Sequence, residues 1–320
     1  MRVFVCETVS GGDYAGTDLP ETLIAEGAMM RDALIADLED LPGVRVFTTH
    51  DARLPAPPCG ESRAIGPGED TRAIWSELAA QTDCCWPIAP ECEGILHSLV
   101  EQLGARNRRV IACDVETLQT CSSKLRTATH LAAAGIPFVP SWSPSTVPAG
   151  LSGPLVIKPD DGAGAMDVHV FRRLPPGPYP TGVVIQPFIV GTAASLTLLC
   201  QSGRAQVLTA NRQHVVEADG QLLFRGLTVG AFPVDDTLRA LADAIGAALP
   251  GLHGILGVDY IATPSGPVVV EINPRLTTAY VGLRRALGIN PLAFVAELVQ
   301  DGMVPDMNSL PPSHPVEISL

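Results

Sequence analysis

The 320-residue sequence carries 21 basic residues, and only two of them, Lys124 and Lys158, are lysines. A solvated surface cation can be of either type, so a chain this rich in arginine keeps lysine where a compact ammonium is needed. Lys158 ends the apolar run PLVIK and is followed by PDDGAGAMDV, in which Gly162 and Gly164 let the backbone approach a ligand and present N–H groups to phosphate oxygens. Strand, lysine and glycine loop in that order suit a nucleotide phosphate. The plainer readings are an ordinary glycine-rich hairpin turn here and a solvated helix face for Lys124 in SSKLRTATHLAAAG.

A second group of residues lies in GILGVDYIATPSGPVVVEINPRLTTAYVG, residues 254–282. Glu271 and Asn273 are two apart on a strand and share one face, and Pro274 then ends the ladder. The preceding strand carries Asp259. The PSG at 264–266 predicts a three-residue hairpin loop that pairs Thr263 with Pro267 and so sets Asp259 opposite Glu271. Directly opposed carboxylates repel unless a cation lies between them. Asp, Glu and an Asn carbonyl are the hard oxygen ligands Mg²⁺ takes beside phosphate. A pair of exposed acids at a strand edge is the plainer alternative. Arg275, next in the chain, is expected to steady negative charge that develops during a reaction.

Positioning these groups takes an α/β scaffold. Short β-rich runs at 2–6, 44–48, 84–89 and 109–113 alternate with stretches of helical apolar spacing, such as Leu23, Met30, Leu34 and Leu38, which predicts βαβ units and a parallel sheet. A helix over about 115–134 precedes strands joined by turns to about residue 230, and a helix, two strands and two helices fill 235–301. The Pro/Gly-rich stretch 53–70 reads as a surface loop, and SLPPSHPVEISL as an irregular tail. SGG at 10–12 follows the first strand, where a doubly wound sheet places a ligand loop, so Gly11 and Gly12 are candidate substrate contacts.

Composition narrows the partners. A 46% hydrophobic content with a net charge of -13 fits a globular chain and argues against nucleic acid or an anionic membrane, leaving small-molecule substrates, with a homo-oligomer compatible. The eight cysteines show no CxxC pair and no Cys/His metal spacing, which suits reduced thiols in a cytoplasm. No leader-like apolar region follows Met1 and no run reaches about eighteen apolar residues, so neither export nor membrane spanning is expected.

Lys124 on a helix, Lys158 before a glycine loop, VVIQPFIVG (183–191), Asp259 and EINPR (271–275), in this order and spacing, resemble the ATP-grasp ligases over about residues 115–290. The resemblance implies an ATP-grasp fold behind an N-terminal βαβ domain. It divides the chain into a pre-ATP-grasp domain at 1–114, a lid subdomain at 115–185 and a catalytic subdomain at 186–320. It further implies that Lys124 and Lys158, with the loop of Gly162 and Gly164, contact ATP phosphates. Gln186, Pro187, Phe188 and Ile189 would meet the adenine, and Gln186 stands where many members carry glutamate. Asp259, Glu271 and Asn273 would hold Mg²⁺ as two ions, with Mn²⁺ a substitute. Within that family EINPRLTTAYVGLRRALG, GTAASLTLL, NRQ (211–213), IAPECEGIL (88–96) and LPETLIAEGAMMRDALIADL (19–38) look like the tyramine-glutamate ligases of methanofuran biosynthesis. That narrower likeness implies a γ-glutamyl amide of tyramine, or of tyrosine as in the related bacterial cofactor.

The implied reaction begins with a carboxylate, a poor acylating agent, which ATP converts to an acyl phosphate that an amine then displaces. Lys158 would offset charge on the transferring phosphoryl group and Arg275 the tetrahedral oxyanion, while Arg284 is a candidate anchor for a substrate carboxylate or an ordinary helix cation. Two other readings use the same nucleotide site: a small-molecule kinase and a non-catalytic nucleotide-binding subunit. The magnesium set argues against the second. A need for both an acid and an amine would separate the ligase from the kinase.

Overall fold

The computed structural model describes residues 1–162, 167–294, 296–303 and 310–320. The N-terminal part alternates β1 (Arg2–Glu7), α1 (Glu21–Glu39), β2 (Arg45–Asp51), β3 (Glu61–Ile65), α2 (Thr71–Gln81), β4 (Cys84–Ile88) and α3 (Ile95–Gly104). Its four strands form a parallel sheet in the order β3-β2-β1-β4. The central runs VFVC and CCWPI are buried on both faces, as a helix-covered parallel sheet requires. Within the stretch 53–70, expected to be a loop, β3 adds an edge strand whose Glu61, Arg63 and Ala64 are exposed. So polar an edge leaves no alternation to read. The run at 109–113 makes only a single parallel bridge, Cys85 to Val110.

Two short helices then lead to the second sheet: α4 (Val115–Cys121), capped by Asp114, and α5 (Lys124–Ala133), capped by Ser123. The single helix expected over 115–134 is broken because the Ser123 hydroxyl accepts the Arg126 N–H and starts a new one, a cap worth ~1 kcal/mol. The remaining elements are β5 (Leu155–Pro159), β6 (His169–Phe171), β7 (Val183–Pro187), β8 (Thr192–Gln201), β9 (Arg204–Ala218), β10 (Gln221–Phe232), α6 (Asp236–Ala248), β11 (Gly254–Thr263), β12 (Gly266–Asn273), α7 (Tyr280–Leu287), α8 (Pro291–Phe294), α9 (Ala296–Gln300) and β13 (Val316–Ser319).

The nine strands β5 to β13 form one antiparallel sheet, ordered β12-β11-β8-β9-β10-β6-β5-β7, with β13 also pairing β10. The tail expected to be irregular thus closes on the sheet as β13, Leu227 facing Ile318. A division at 185/186 falls inside β7, so the chain leaves the small strand layer only after Pro187. One apolar core runs through both parts. Trp75, Leu99 and Leu103 from the first meet Leu196, Leu198, Leu256 and Ile245 from the second. A second interface joins α1 to α7 through the Tyr280 hydroxyl, which donates to Asp37 at 2.8 Å, and Arg284, which pairs with Asp37 and Asp40.

Candidate active site

A cleft of about 450 Å³ lies between the small strand layer β5–β7 and the strands β8, β9, β11 and β12, with one contribution from α1. Pairing places a row of polar side chains on its floor. Glu271 on β12 opposes Asp259 on β11, Asp259 opposes Ser195 on β8, and Ser195 opposes Asn211 on β9. Directly paired residues share a face, so the row is common to four strands.

The pairing of Asp259 with Glu271 arises differently from the expected three-residue loop. Thr263 pairs with Gly266, its hydroxyl donates to the Gly266 carbonyl at 2.8 Å, and only Pro264 and Ser265 make the turn. That two-residue loop alone would put Asp259 opposite Val270. A bulge between Asp259 and Tyr260 in the register, with Val270 as the extra residue, restores Glu271 to the same face. Asn273 then pairs with Gly257, where a Cβ would lie 2.5 Å from Thr277. Glycine there lets the segment after Pro274 fold back over β11 and bring Arg275, Thr277 and Thr278 to the cleft.

The two carboxylates repel each other. Burial, then the Glu271 charge, push the Asp259 carboxyl up to about 7, against partial relief from Asn273, Arg275 and Lys158. Gln213 Nε2 donates to Asp259 Oδ1 at 2.9 Å and Asn273 Nδ2 to Oδ2 at 3.4 Å. Among the described residues no cluster of three His, Cys, Asp or Glu side chains forms. The oxygen set is two carboxylates and one amide, the hard donor set that Mg²⁺ takes when phosphate oxygens complete its shell. Two opposed acids on a part-buried floor, one of them pushed toward neutrality by burial and then by the charge of the other, fit a divalent cation.

Both lysines line the cleft, and they differ. Lys124 Nζ lies 2.8 Å from Glu271 Oε1 and donates to the Gly162 carbonyl at 2.9 Å and the Asp160 carbonyl at 3.4 Å. Burial works to lower its pKa, but Glu271, Glu91 and Asp160 outweigh it and hold the ammonium charged. Asp160 fixes this corner by accepting from the Leu125 N–H and the Ser123 hydroxyl, which ties the loop after β5 to the first turn of α5. The ammonium of Lys158, 7% exposed, has no hydrogen-bond or ion-pair partner among the described residues. Burial, reinforced by the like charge of Lys124, brings it down to about 8 although Glu271 pulls the other way. A buried cation without a partner is costly, and an anion entering the cleft removes that cost.

Gln186 opposes Val156, so it shares the cleft face with Val156 and Lys158, and its amide donates to Ser141 Oγ at 2.7 Å. Pro187, Phe188 and Ile189 continue the wall beside Val139, Leu222 and Phe224, an apolar end suited to a flat ring. Gly162 lines the cleft, while Gly164 lies outside the described residues. Arg275 is seated by the ion pair of its Nε with Glu91 Oε2 at 2.5 Å, which overcomes the burial that would lower its pKa.

Three expected substrate contacts lie elsewhere. Arg284 is on α7 outside the cleft, held by Asp37 at 3.1 Å and Asp40 at 2.5 Å, because α7 turns that face toward α1. Gly11 and Gly12 belong to a loop closed within the first sheet: a Cβ on Gly11 would sit 1.8 Å from the Glu7 carbonyl, and Gly12 has φ +110° against Ile65. Both glycines serve the turn. Conversely Glu26, Glu91, Asp160, Gln213 and Thr278 take part without having been singled out. Glu91 and Arg275 are 184 residues apart, and spacing alone does not join them.

Comparison with known proteins agrees with this architecture. A family model described as an ATP-grasp domain matches residues 121–279, and one described as a pre ATP-grasp 3 domain matches residues 44–118. The chain belongs to the ATP-grasp family. Among curated relatives, the tyramine–L-glutamate ligase of Methanocaldococcus jannaschii is 27% identical over 201 residues, 62% of this chain. The chain spans 57% of that relative's length. A solved ATP-grasp superfamily protein from Archaeoglobus fulgidus superposes with a TM-score of 0.71 at 20% identity, covering 100% of this chain and 99% of its own. Biotin carboxylase from Campylobacter jejuni, solved as a β,γ-ATP complex, gives a TM-score of 0.71 at 14% identity, covering 97% of this chain and 73% of its own. At these identities the solved structures speak for the fold.

Proposed function

We propose that this chain is an ATP- and Mg²⁺-dependent ligase that joins a carboxylate to an amine through an acyl phosphate. The observation that carries the reading is one cleft in which the ammonium of Lys158, without a hydrogen-bond or ion-pair partner among the described residues, lies near the opposed carboxylates Asp259 and Glu271. Each is an unfavourable arrangement alone, and MgATP relieves both. The apolar wall at Gln186 to Ile189 receives the base, which leaves the triphosphate to run toward Lys158. Lys124 is placed to exchange its long Asp160 contact for a phosphate oxygen. Asp259, Glu271 and Asn273 would hold Mg²⁺, as two ions in the reading kept from the sequence, and Mg²⁺ when bound neutralises phosphate charge.

In the first half-reaction a carboxylate oxygen of the acid attacks the γ-phosphorus, the bond to the ADP oxygen breaks, and an acyl phosphate forms. In the second, the neutral amine attacks the carbonyl carbon, the carbon–oxygen bond to the phosphoryl group breaks so that phosphate leaves with the carboxylate oxygen that had attacked phosphorus, and the nitrogen gives up one proton to the departing phosphate or to solvent. Arg275, fixed by Glu91, stands where it can hold the oxyanion of that tetrahedral intermediate. The likeness to the Methanocaldococcus jannaschii ligase supports glutamate as the acid and tyramine or tyrosine as the amine. On this reading 1–114 is the pre-ATP-grasp domain, and the lid and catalytic subdomains follow.

The test crosses carboxylic acids with amines, glutamate with tyramine and with tyrosine among them, and follows phosphate release with mass analysis of products. Phosphate accumulates with an amide only when both partners are present. Comparable turnover with the amine omitted, and a stable phosphorylated acceptor, would instead identify a kinase.

A further inference from the structure

The MgATP reading accounts for Lys124, Lys158 and the carboxylate pair, but it leaves Glu26 unexplained. Helix α1 of the N-terminal part brings Glu26 to Thr278, in the same cleft lining as Arg275. Helix α1 reaches the cleft because residue 27 is glycine: a Cβ there would meet Glu7 Oε1 at 2.7 Å. The Thr278 hydroxyl donates to Glu26 Oε1, which fixes the carboxylate across the boundary between the two parts of the chain. Glu26 is also close enough to Arg275 to raise that guanidinium's pKa, after the larger opposing effect of burial and the larger support of Glu91.

We propose that Glu26 is the specificity residue that receives the non-reacting ammonium group of an α-amino acid whose carboxylate is activated. The proposal rests on the ligase reading above and assigns recognition of the acid's ammonium to one residue of this chain. On that reading Asp259 and Glu271 are engaged by Mg²⁺ and Glu91 by Arg275, so none of the three is free to receive an ammonium. An amino acid therefore needs a carboxylate beyond Arg275, and two lining carboxylates lie outside the floor pair. Glu217 is exposed on β9 beside Val215 and Leu222, toward the apolar end, whereas Glu26 accepts from the Thr278 hydroxyl and lines the cleft with Arg275. Guanidinium, carboxylate and hydroxyl side by side read a zwitterion. Because Thr278 already holds one Glu26 oxygen, the carboxylate keeps one geometry, as discrimination by charge requires.

The test compares binding of L-glutamate and L-aspartate with binding of glutarate and succinate, which lack only the ammonium, by calorimetry on protein loaded with Mg²⁺ and a non-hydrolysable ATP analogue. Wild-type protein is expected to bind the amino acids at least about tenfold tighter than their des-amino counterparts. In Glu26→Gln, whose amide oxygen can still accept from Thr278, that preference falls toward unity while affinity for the ATP analogue and the melting temperature stay unchanged. Equal binding of the two classes by wild-type protein, or a preference that survives Glu26→Gln, overturns the proposal. Phosphate release with acid and amine together reports on the ligase reading separately, so loss of one result does not mask the other.

Discussion

Two regions of this molecule hold acids on strands, one at the end of β1 and one across the β11–β12 pair, and although burial raises the pKa of both Glu7 and Asp259, their surroundings differ. After β1, the Glu7 carboxylate is 2% exposed and accepts from the Val9 N–H at 2.8 Å, the Ser10 N–H at 2.6 Å and the Ser10 hydroxyl at 2.5 Å. The glycines that follow are tied as tightly, Gly11 O by Thr49 and Gly12 O by Thr71. Across the β11–β12 pair the acids face each other, and the nearby Lys158 ammonium has no partner among the described residues. The first loop is closed upon itself and needs nothing further. The second pairs repelling acids with a cation that lacks a described partner, the arrangement the proposed MgATP site would use.

The contrast predicts which loop governs chemistry. Glu271→Gln keeps the shape of the floor and an acceptor for Lys124 but removes the charge that pairs with it, so turnover should fall at least ~100-fold with the fold preserved by circular dichroism. Turnover near wild type at limiting Mg²⁺ would make the floor acids structural like Glu7. The mirror experiment is Glu7→Gln, which sets an amide donor among backbone N–H groups. It should cost ~1–3 kcal/mol in urea unfolding while leaving the KM for ATP within about twofold. A large KM change with no stability loss would return the first loop to the site.

Lys158→Arg sharpens the comparison on the cationic side. A guanidinium is wider and planar, and this buried strand end has room for a compact ammonium, so ATP affinity should drop ~10-fold although charge is conserved. Arg172→Lys on the exposed surface serves as the control and should be silent. A smaller effect concerns pH. Lys158 is charged below about 8, and bound phosphate favours the charged form, so ATP affinity is complete at lower pH and is lost as pH rises through about 8. Calorimetric Kd values should therefore rise several-fold between about pH 7.5 and 9.5 in wild type, and a flat profile is expected in Lys158→Met.

Much of the site was legible because its chemistry sits in short local patterns. Glu271 and Asn273 share a face by strand alternation, and scarcity of lysine drew attention to Lys124 and Lys158. The facing of Asp259 and Glu271 was anticipated from a three-residue loop, whereas a two-residue loop plus a bulge produces it. Hairpin pairing can be counted from turns, but a bulge responds to packing beyond the hairpin and leaves little local trace. Arg284 misled because a cation near a site looks the same whether it faces a cleft or Asp37 on α1. Glu26 and Glu91 were hidden for the complementary reason, being brought to Thr278 and Arg275 by the packing of the two parts of the chain.

In the proposed reaction this cleft activates a carboxylate by phosphorylation and delivers it to an amine. Supplying the acid with both carboxylate oxygens as oxygen-18, together with ATP, Mg²⁺ and the amine, follows the atoms directly. One labelled oxygen per turnover should appear in the released phosphate, since the oxygen that attacks phosphorus leaves with it when the amine displaces the acyl phosphate. Phosphate that is released without label while an amide forms, or label retained in a stable phosphorylated acceptor, would contradict the account.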